Sequence, residues 1–245
     1  MPNDRPPSTA ERAAAALREQ ERAERRRQFL IVGGVVAVLL LIGGLTAFAI
    51  GRGDSTGKAV DASGTPANTD GYSVVVGDAD APLTMKFYED PQCPICQQFE
   101  AQVGDKVAAA IDDGKVMVEY HIVSFLDRAS KNQYSSRAAN ALYVVADTAG
   151  PEVFKKFHDL LYQNQPAENS AGPDDDQLIQ WAVQAGADES AVSAKIKDDV
   201  YGQWITNATD QMSKDGVNGT PGVFIDGQLQ PDPGTAVSAV LQAVK

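Results

Sequence analysis

Only two cysteines, two histidines and two tryptophans occur in 245 residues, and aromatic residues make up 7%. Two thiols exclude a disulfide-stapled miniature scaffold and a four-thiolate zinc site, so the spacing of the pair carries the information rather than its number. Basic residues are also scarce: 21 Lys+Arg stand against 33 Asp+Glu, a formal net charge of −12. An acidic surface repels a phosphate backbone, because nucleic-acid binding rests on Lys and Arg displacing counterions; nucleic acid is therefore excluded as a partner. There is no internal repeat. The length suits one folded domain with appendages.

What charge there is falls unevenly, +2 over residues 1–28 against −14 beyond. From Phe29 to Ile50 runs FLIVGGVVAVLLLIGGLTAFAI, uncharged throughout and, as a helix, about 33 Å long, enough to cross a bilayer's hydrocarbon core. It reads as a transmembrane helix at 29–50. Arg22, Arg25, Arg26 and Arg27 crowd its N-terminal side, while only Arg52 and Lys58 follow closely, so the N-terminus is placed in the cytoplasm and the remainder outside. A secretory signal cleaved after Ala49 is the competing reading, because Ala47-Phe48-Ala49 has the small-x-small form; the length of the apolar run and of the head before it argue against it. Residues 1–28 form a cytoplasmic juxtamembrane segment rich in helix formers. Residues 51–70, rich in Gly, Ser, Thr and Asp, have the composition of a flexible tether. Arg52-Gly53-Asp54 in that tether is a chance tripeptide.

Beyond the tether, residues 71–245 read as one α/β domain. Strands are predicted at 72–76 and 83–88, a helix at 93–110, and a strand at 115–124, an arrangement that calls for parallel outer strands and a right-handed crossover. Helices follow at 135–148, 151–163, 174–185, 190–197 and 198–212. A hairpin around Asp226-Gly227 and a last helix at 235–244 complete the chain. Asp174-Asp175-Asp176 reads as a helix N-terminal charge cluster. Trp181 and Trp204 fall at core spacing, His121 reads as a packed or edge residue on a strand, and His158 as a helix-surface residue.

The chemistry lies in Cys93-Pro94-Ile95-Cys96. Two cysteines three apart, just past a strand and at a helix start, suit thiol-disulfide exchange: free N–H groups and the dipole at the helix N-terminus stabilise a thiolate. Cys93 is expected to be the exposed nucleophile and Cys96, one turn further in, the shielded resolving thiol. Pro94 and Ile95 shape the active-site loop. Half a zinc site is a poor alternative, since only His121 and His158 remain as ligands; a structural disulfide is another, weakened because so short a loop constrains the unfolded chain little. Far downstream, Thr220-Pro221-Gly222-Val223-Phe224 sets a proline directly before a strand, where a cis peptide bond is expected.

C-x-x-C upstream with Thr-Pro-Gly-Val-Phe late in the chain resembles the thioredoxin fold. The helical block at about 126–214 resembles the insertion of the DsbA-like disulfide oxidoreductases. Tyr88 to Cys96, Phe125 to Arg128 and Tyr134 to Asn140 are similar to the membrane-anchored branch found in actinobacterial envelopes. The resemblance covers 72–245 and implies a thioredoxin fold with a helical insertion, preceded by one transmembrane helix. It also implies disulfide exchange with extracytoplasmic proteins carrying free thiols, contact of Thr220 and Pro221 with the substrate backbone, and a membrane redox partner such as a quinone-linked reoxidase. No dissociable cofactor and no metal are called for.

Two departures stand out. Ile95 occupies a loop position where family members often carry an aromatic residue or histidine, and its side chain cannot hydrogen-bond the Cys93 sulfur. Related proteins commonly carry a buried acid six residues before the first cysteine, where this chain has Phe87. Glu89 and Asp90 are nearby candidates for proton transfer, set against the commoner case of exposed acids in a strand-to-helix turn. Two functional readings follow: an envelope thiol-disulfide oxidoreductase that forms or isomerises disulfides, or a non-catalytic thioredoxin-fold binding or chaperone module.

Overall fold

A computed structural model describes residues 64–245. The juxtamembrane segment, the apolar run at 29–50 and most of the tether lie outside the described residues. Among those described, no helix is long and apolar enough to cross a membrane.

The strands are β1 (Thr69–Asp70), β2 (Ser73–Val76), β3 (Leu83–Glu89), β4 (Val116–Ile122), β5 (Gly222–Ile225) and β6 (Gln228–Leu229), and they form one mixed sheet in the order β1-β2-β4-β3-β5-β6. β3 and β4 run parallel from Leu83↔Val116 to Glu89↔Ile122, joined across helix α1 (Pro94–Asp112). β5 runs antiparallel to β3, with Tyr88 opposite Gly222. This register brings the cysteine turn beside the Thr220-Pro221 loop: one leaves β3 where the other enters β5.

Alternation along β3 and β4 divides their side chains between two faces. Met85 and Phe87 pack with Val118, Tyr120 and α1, Phe87 lying edge-on to Phe99 and Tyr120 at 5.2 and 5.6 Å between ring centroids. Tyr88 turns to the other face, where it joins Val123, Ala208, Met212 and Val217. It bonds Asp215 there and lies 4.4 Å from the His121 ring, so His121 is a packed residue.

Between β4 and β5 come helices α2 (Tyr134–Ala149), α3 (Pro151–Gln163), α4 (Asp175–Ala185), α5 (Glu189–Lys197) and α6 (Gly202–Lys214), and α7 (Pro233–Ala243) ends the chain. α2 is the centre of the insertion, packing against α3, α4, α5 and α6 with an almost continuously buried run from Ala138 to Ala146. Asp174 caps α4, its carboxylate accepting from Gln177 N–H at 2.9 Å, as a helix N-terminal acid should. α6 begins four residues later than the sequence pattern predicts, after a turn in which Asp199 takes a positive φ of 48°. β1 falls within the segment assigned to the tether, where Ala67 N–H donates to Asp147 and the Asn68 side chain donates to the Ala146 carbonyl. Low hydrophobicity hid this attachment, since polar side chains and backbone make it.

Candidate active site

Cys93 is the N-cap of α1 and Pro94 follows as its first residue, where a missing N–H leaves no bond unmade. The backbone N–H of Cys96 points at the Cys93 sulfur from 3.4 Å. Cys93 Sγ also lies 3.2 Å from the carbonyl oxygen of Thr220, and the Thr220–Pro221 peptide bond is cis. Both cysteines are free thiols.

The two sulfurs titrate in opposite directions. Cys93 is lowered to about 7, chiefly by a hydrogen bond from the Cys96 thiol, against the penalty of its own burial and with further help from the Thr220 side chain and the Cys96 and Ile95 amides. Ile95 thus stabilises the sulfur through its backbone, while the residue as a whole is 42% exposed. Burial pushes the Cys96 thiol up, as do the hydrogen bond to Cys93 and the nearby charge of Glu89. Contrary to the exposed nucleophile expected from sequence, only 4% of Cys93 is accessible, because Tyr162 and Leu126 of the insertion pack against the pair. A helix N-terminus predicts the polarity of its surroundings but not what a distant segment lays over it.

Glu89 and Asp90 are both fully buried, which overturns the reading of exposed turn acids. Asp90 organises the turn: its carboxylate accepts from Gln92 N–H, Leu126 N–H and Ser135 Oγ at 2.8, 2.7 and 2.6 Å. Burial raises it to about 6 even against these three donors. Glu89 meets His158, whose Nε2 is 2.9 Å from Glu89 Oε2. His158 is fully buried, not a surface residue, because α3 turns this face onto α1 and the sheet. A buried acid therefore does lie beneath the cysteines, at Glu89 rather than at the position of Phe87.

Other contacts at the site involve residues that sequence reasoning passed over. Gln165 donates to the carbonyls of Pro91 and Cys93, each at 3.0 Å, Tyr162 donates to the Asp90 carbonyl at 3.2 Å, and Gln97 donates to the Tyr162 carbonyl at 2.9 Å. Nothing in their local pattern marks them. Their partners are some seventy residues away in the chain. Among the described residues, Glu89, Glu100 and His158 are the one group of three ligand-type side chains near enough to hold a metal ion. Lys155 already sits within it, 3.9 Å from Glu100 and paired with Asp159.

The chain resembles proteins of known chemistry. The thioredoxin family model matches residues 69–241. The reduced DsbA of Mycobacterium tuberculosis is 33% identical, with 71% of this chain and 93% of that chain covered at a TM-score of 0.60. MdbA, a thiol-disulfide oxidoreductase from Corynebacterium diphtheriae, is 26% identical over 70% of this chain and 89% of that one, again at 0.60. The serine/threonine-protein kinase PknE of M. tuberculosis is 32% identical over 163 residues, which is 64% of this chain but 29% of the kinase. The chain thus spans under a third of the length of these kinase relatives.

Proposed function

The chain belongs to the thioredoxin family, in its DsbA-like branch, and from that premise we propose that it is an extracytoplasmic thiol-disulfide oxidoreductase that forms disulfides in envelope and secreted proteins through Cys93 and Cys96. The observation that carries this reading is the placing of the sulfurs: Cys93 caps the N-terminus of α1 against the Thr220-Pro221 loop and receives the Cys96 N–H, while Cys96 is fully buried one turn further in. In the disulfide form, a substrate thiolate attacks Cys93 Sγ. A substrate–Cys93 bond forms, the Cys93–Cys96 bond breaks, and Cys96 leaves with the electron pair and gains a proton. A second substrate thiolate then attacks the substrate sulfur of the mixed disulfide and releases Cys93 as its stabilised thiolate, leaving the substrate oxidised by two electrons. Stabilising that thiolate favours the reduced enzyme, which makes the disulfide a stronger oxidant.

In this reading Thr220 and Pro221, beside Cys93, contact the substrate backbone, while Pro94 and Ile95 shape the loop. The anchor at 29–50 holds the domain outside the cytoplasmic membrane, near a membrane redox partner such as a quinone-linked reoxidase. Glu89, the buried acid beside Cys96, serves its proton transfer.

The test is the equilibrium reduction potential of the full chain against a glutathione series, with the pair followed by thiol trapping. A value near about −120 mV marks a donor of disulfides, and one near about −270 mV a thioredoxin-like reductant. A pair that never cycles leaves the binding-module reading in its place.

A further inference from the structure

The sulfur chemistry uses Glu89 but leaves its surroundings unexplained. His158 reaches Glu89 from the insertion helix α3, and its Nδ1 lies 3.5 Å from Oδ1 of Asp159, an ion-pair distance without hydrogen-bond alignment. The rings of Tyr120 on β4 and Tyr162 on α3 close over the imidazole at 5.0 and 4.8 Å, and Phe154 lies at 5.9 Å. The charged groups facing this site are Glu89 from β3, Glu100 from α1, and Lys155 and Asp159 from α3 itself. Glu100 is raised to about 7, first by burial and then by the charge of Glu89, and Lys155 is taken up by Glu100 and Asp159. The remaining oxygen of Glu89, Oε1, is buried with no hydrogen-bond partner. Asp159 itself is 41% exposed and lines a groove of 410 Å³ between α1 and α3, which shares no lining residue with the pocket along the Thr220-Pro221 loop.

We propose that His158 is a positioning residue for disulfide exchange: with its ring set between Glu89 and Asp159, it orients the Glu89 carboxylate that takes the proton of Cys96. The proposal rests on the oxidoreductase reading and adds the residue that holds Glu89 in place. Geometry places His158 there: its Nε2 lies 2.9 Å from Glu89 Oε2 in a fully buried site, where a carboxyl group needs a hydrogen-bonding partner. The titration agrees in sign, since burial pushes His158 down but Asp159 and Glu89 together raise it to about 9. When Cys93 carries a mixed disulfide with glutathione, the proton of Cys96 passes to Glu89 and the Cys96 thiolate attacks Cys93 Sγ. The Cys93–Cys96 bond forms and the Cys93–glutathione bond breaks. Glutathione leaves with the electron pair and takes a proton from water, and Glu89 returns its proton to water.

The experiment loads the full chain with glutathione at Cys93 and follows glutathione release against pH in wild type, His158→Gln and Asp159→Asn. In His158→Gln, release near pH 7 falls by about 100-fold and climbs steeply with pH, the range expected for loss of a proton acceptor. A histidine that only packs would leave a profile parallel to wild type, and that result overturns the proposal. Asp159→Asn alters a half-exposed side chain and keeps the variant test alive if His158→Gln does not fold. It is expected to lower the His158 titration midpoint, read by NMR in a chain with two histidines. Release then stays at the wild-type rate near about pH 6, where the imidazolium persists, and drops severalfold near about pH 8, where it is lost. A release profile that does not follow the His158 midpoint sinks the proposal. Wild type that never releases glutathione defeats the oxidoreductase reading itself, whereas wild type that resolves normally beside unchanged variants defeats only the role of His158.

Discussion

At the scale of single residues, the site works by giving two identical side chains different surroundings. Cys93 has three amide or hydroxyl donors and the Cys96 thiol; Cys96 has apolar walls and the charge of Glu89. Alkylation of the reduced chain by iodoacetamide should therefore modify Cys93 with a midpoint near pH 7 and leave Cys96 unmodified until the fold opens, as peptide mapping would show. Cys96→Ser should raise the Cys93 midpoint, because its largest stabilising donor changes. Asp90 carries structure rather than exchange chemistry. Replacing it by alanine strands three donors from three segments, two of them fully buried, a loss of on the order of 3–5 kcal/mol of stability, measurable by urea unfolding. These roles were partly readable. Cys93-Pro94-Ile95-Cys96 and Thr220-Pro221 announce themselves by spacing, but Asp90 and Glu89 look like ordinary turn acids until the insertion covers them.

At the scale of elements, the insertion does more than cover the sheet. α3 supplies Lys155, His158, Asp159 and Tyr162, one face of a single helix, to the polar cluster and to the cysteine pair. α2 locks the other helices through Asn140, whose side chain donates to the Ile196 carbonyl at 3.1 Å and accepts from Tyr201 N–H at 3.0 Å, fully buried. Asn140→Ala should cost about 1–3 kcal/mol, since it leaves the Tyr201 N–H buried and unpaired, while the Ile196 carbonyl keeps a bond from Asp199 N–H. Its thermal unfolding should shift down while the Cys93 midpoint stays in place. Helices and strands of this length were legible from periodicity and from their stops. The late start of α6 was not, because a positive φ at Asp199 has no marker as clear as glycine.

At the scale of the whole molecule, buried titratable groups should couple stability to pH. His158 is raised to about 9, so its contribution is complete below its unfolded value of 6.5 and is lost as pH rises through about 9. Glu100 and Asp90, raised to about 7 and about 6, act in the same direction: each favours the folded state in acid and loses that contribution as pH rises through its folded value. Cys93 acts oppositely in the reduced form, since a lowered thiol adds stability above about pH 7. A Cys93→Ser chain removes that opposing contribution. Its thermal midpoint should fall steadily from about pH 6 to about pH 9, whereas the reduced wild type should show a shallower decline; equal slopes would contradict this assignment of the titrating groups.

The sequence by itself determined the dithiol, the proline loop, the order of all strands but β1 and of the helices, the acidic balance, and the apolar run ahead of the domain. All of these are local properties of composition, period or spacing. Only the tertiary structure decided that Cys93 is covered and that Asp90 is a structural tie. The same is true of the burial of Glu89 against His158 and of the placement of Tyr162 and Gln165 on the active-site turn. These follow from where α3 lands on α1 and the sheet, a contact between residues some seventy positions apart that no local signal encodes.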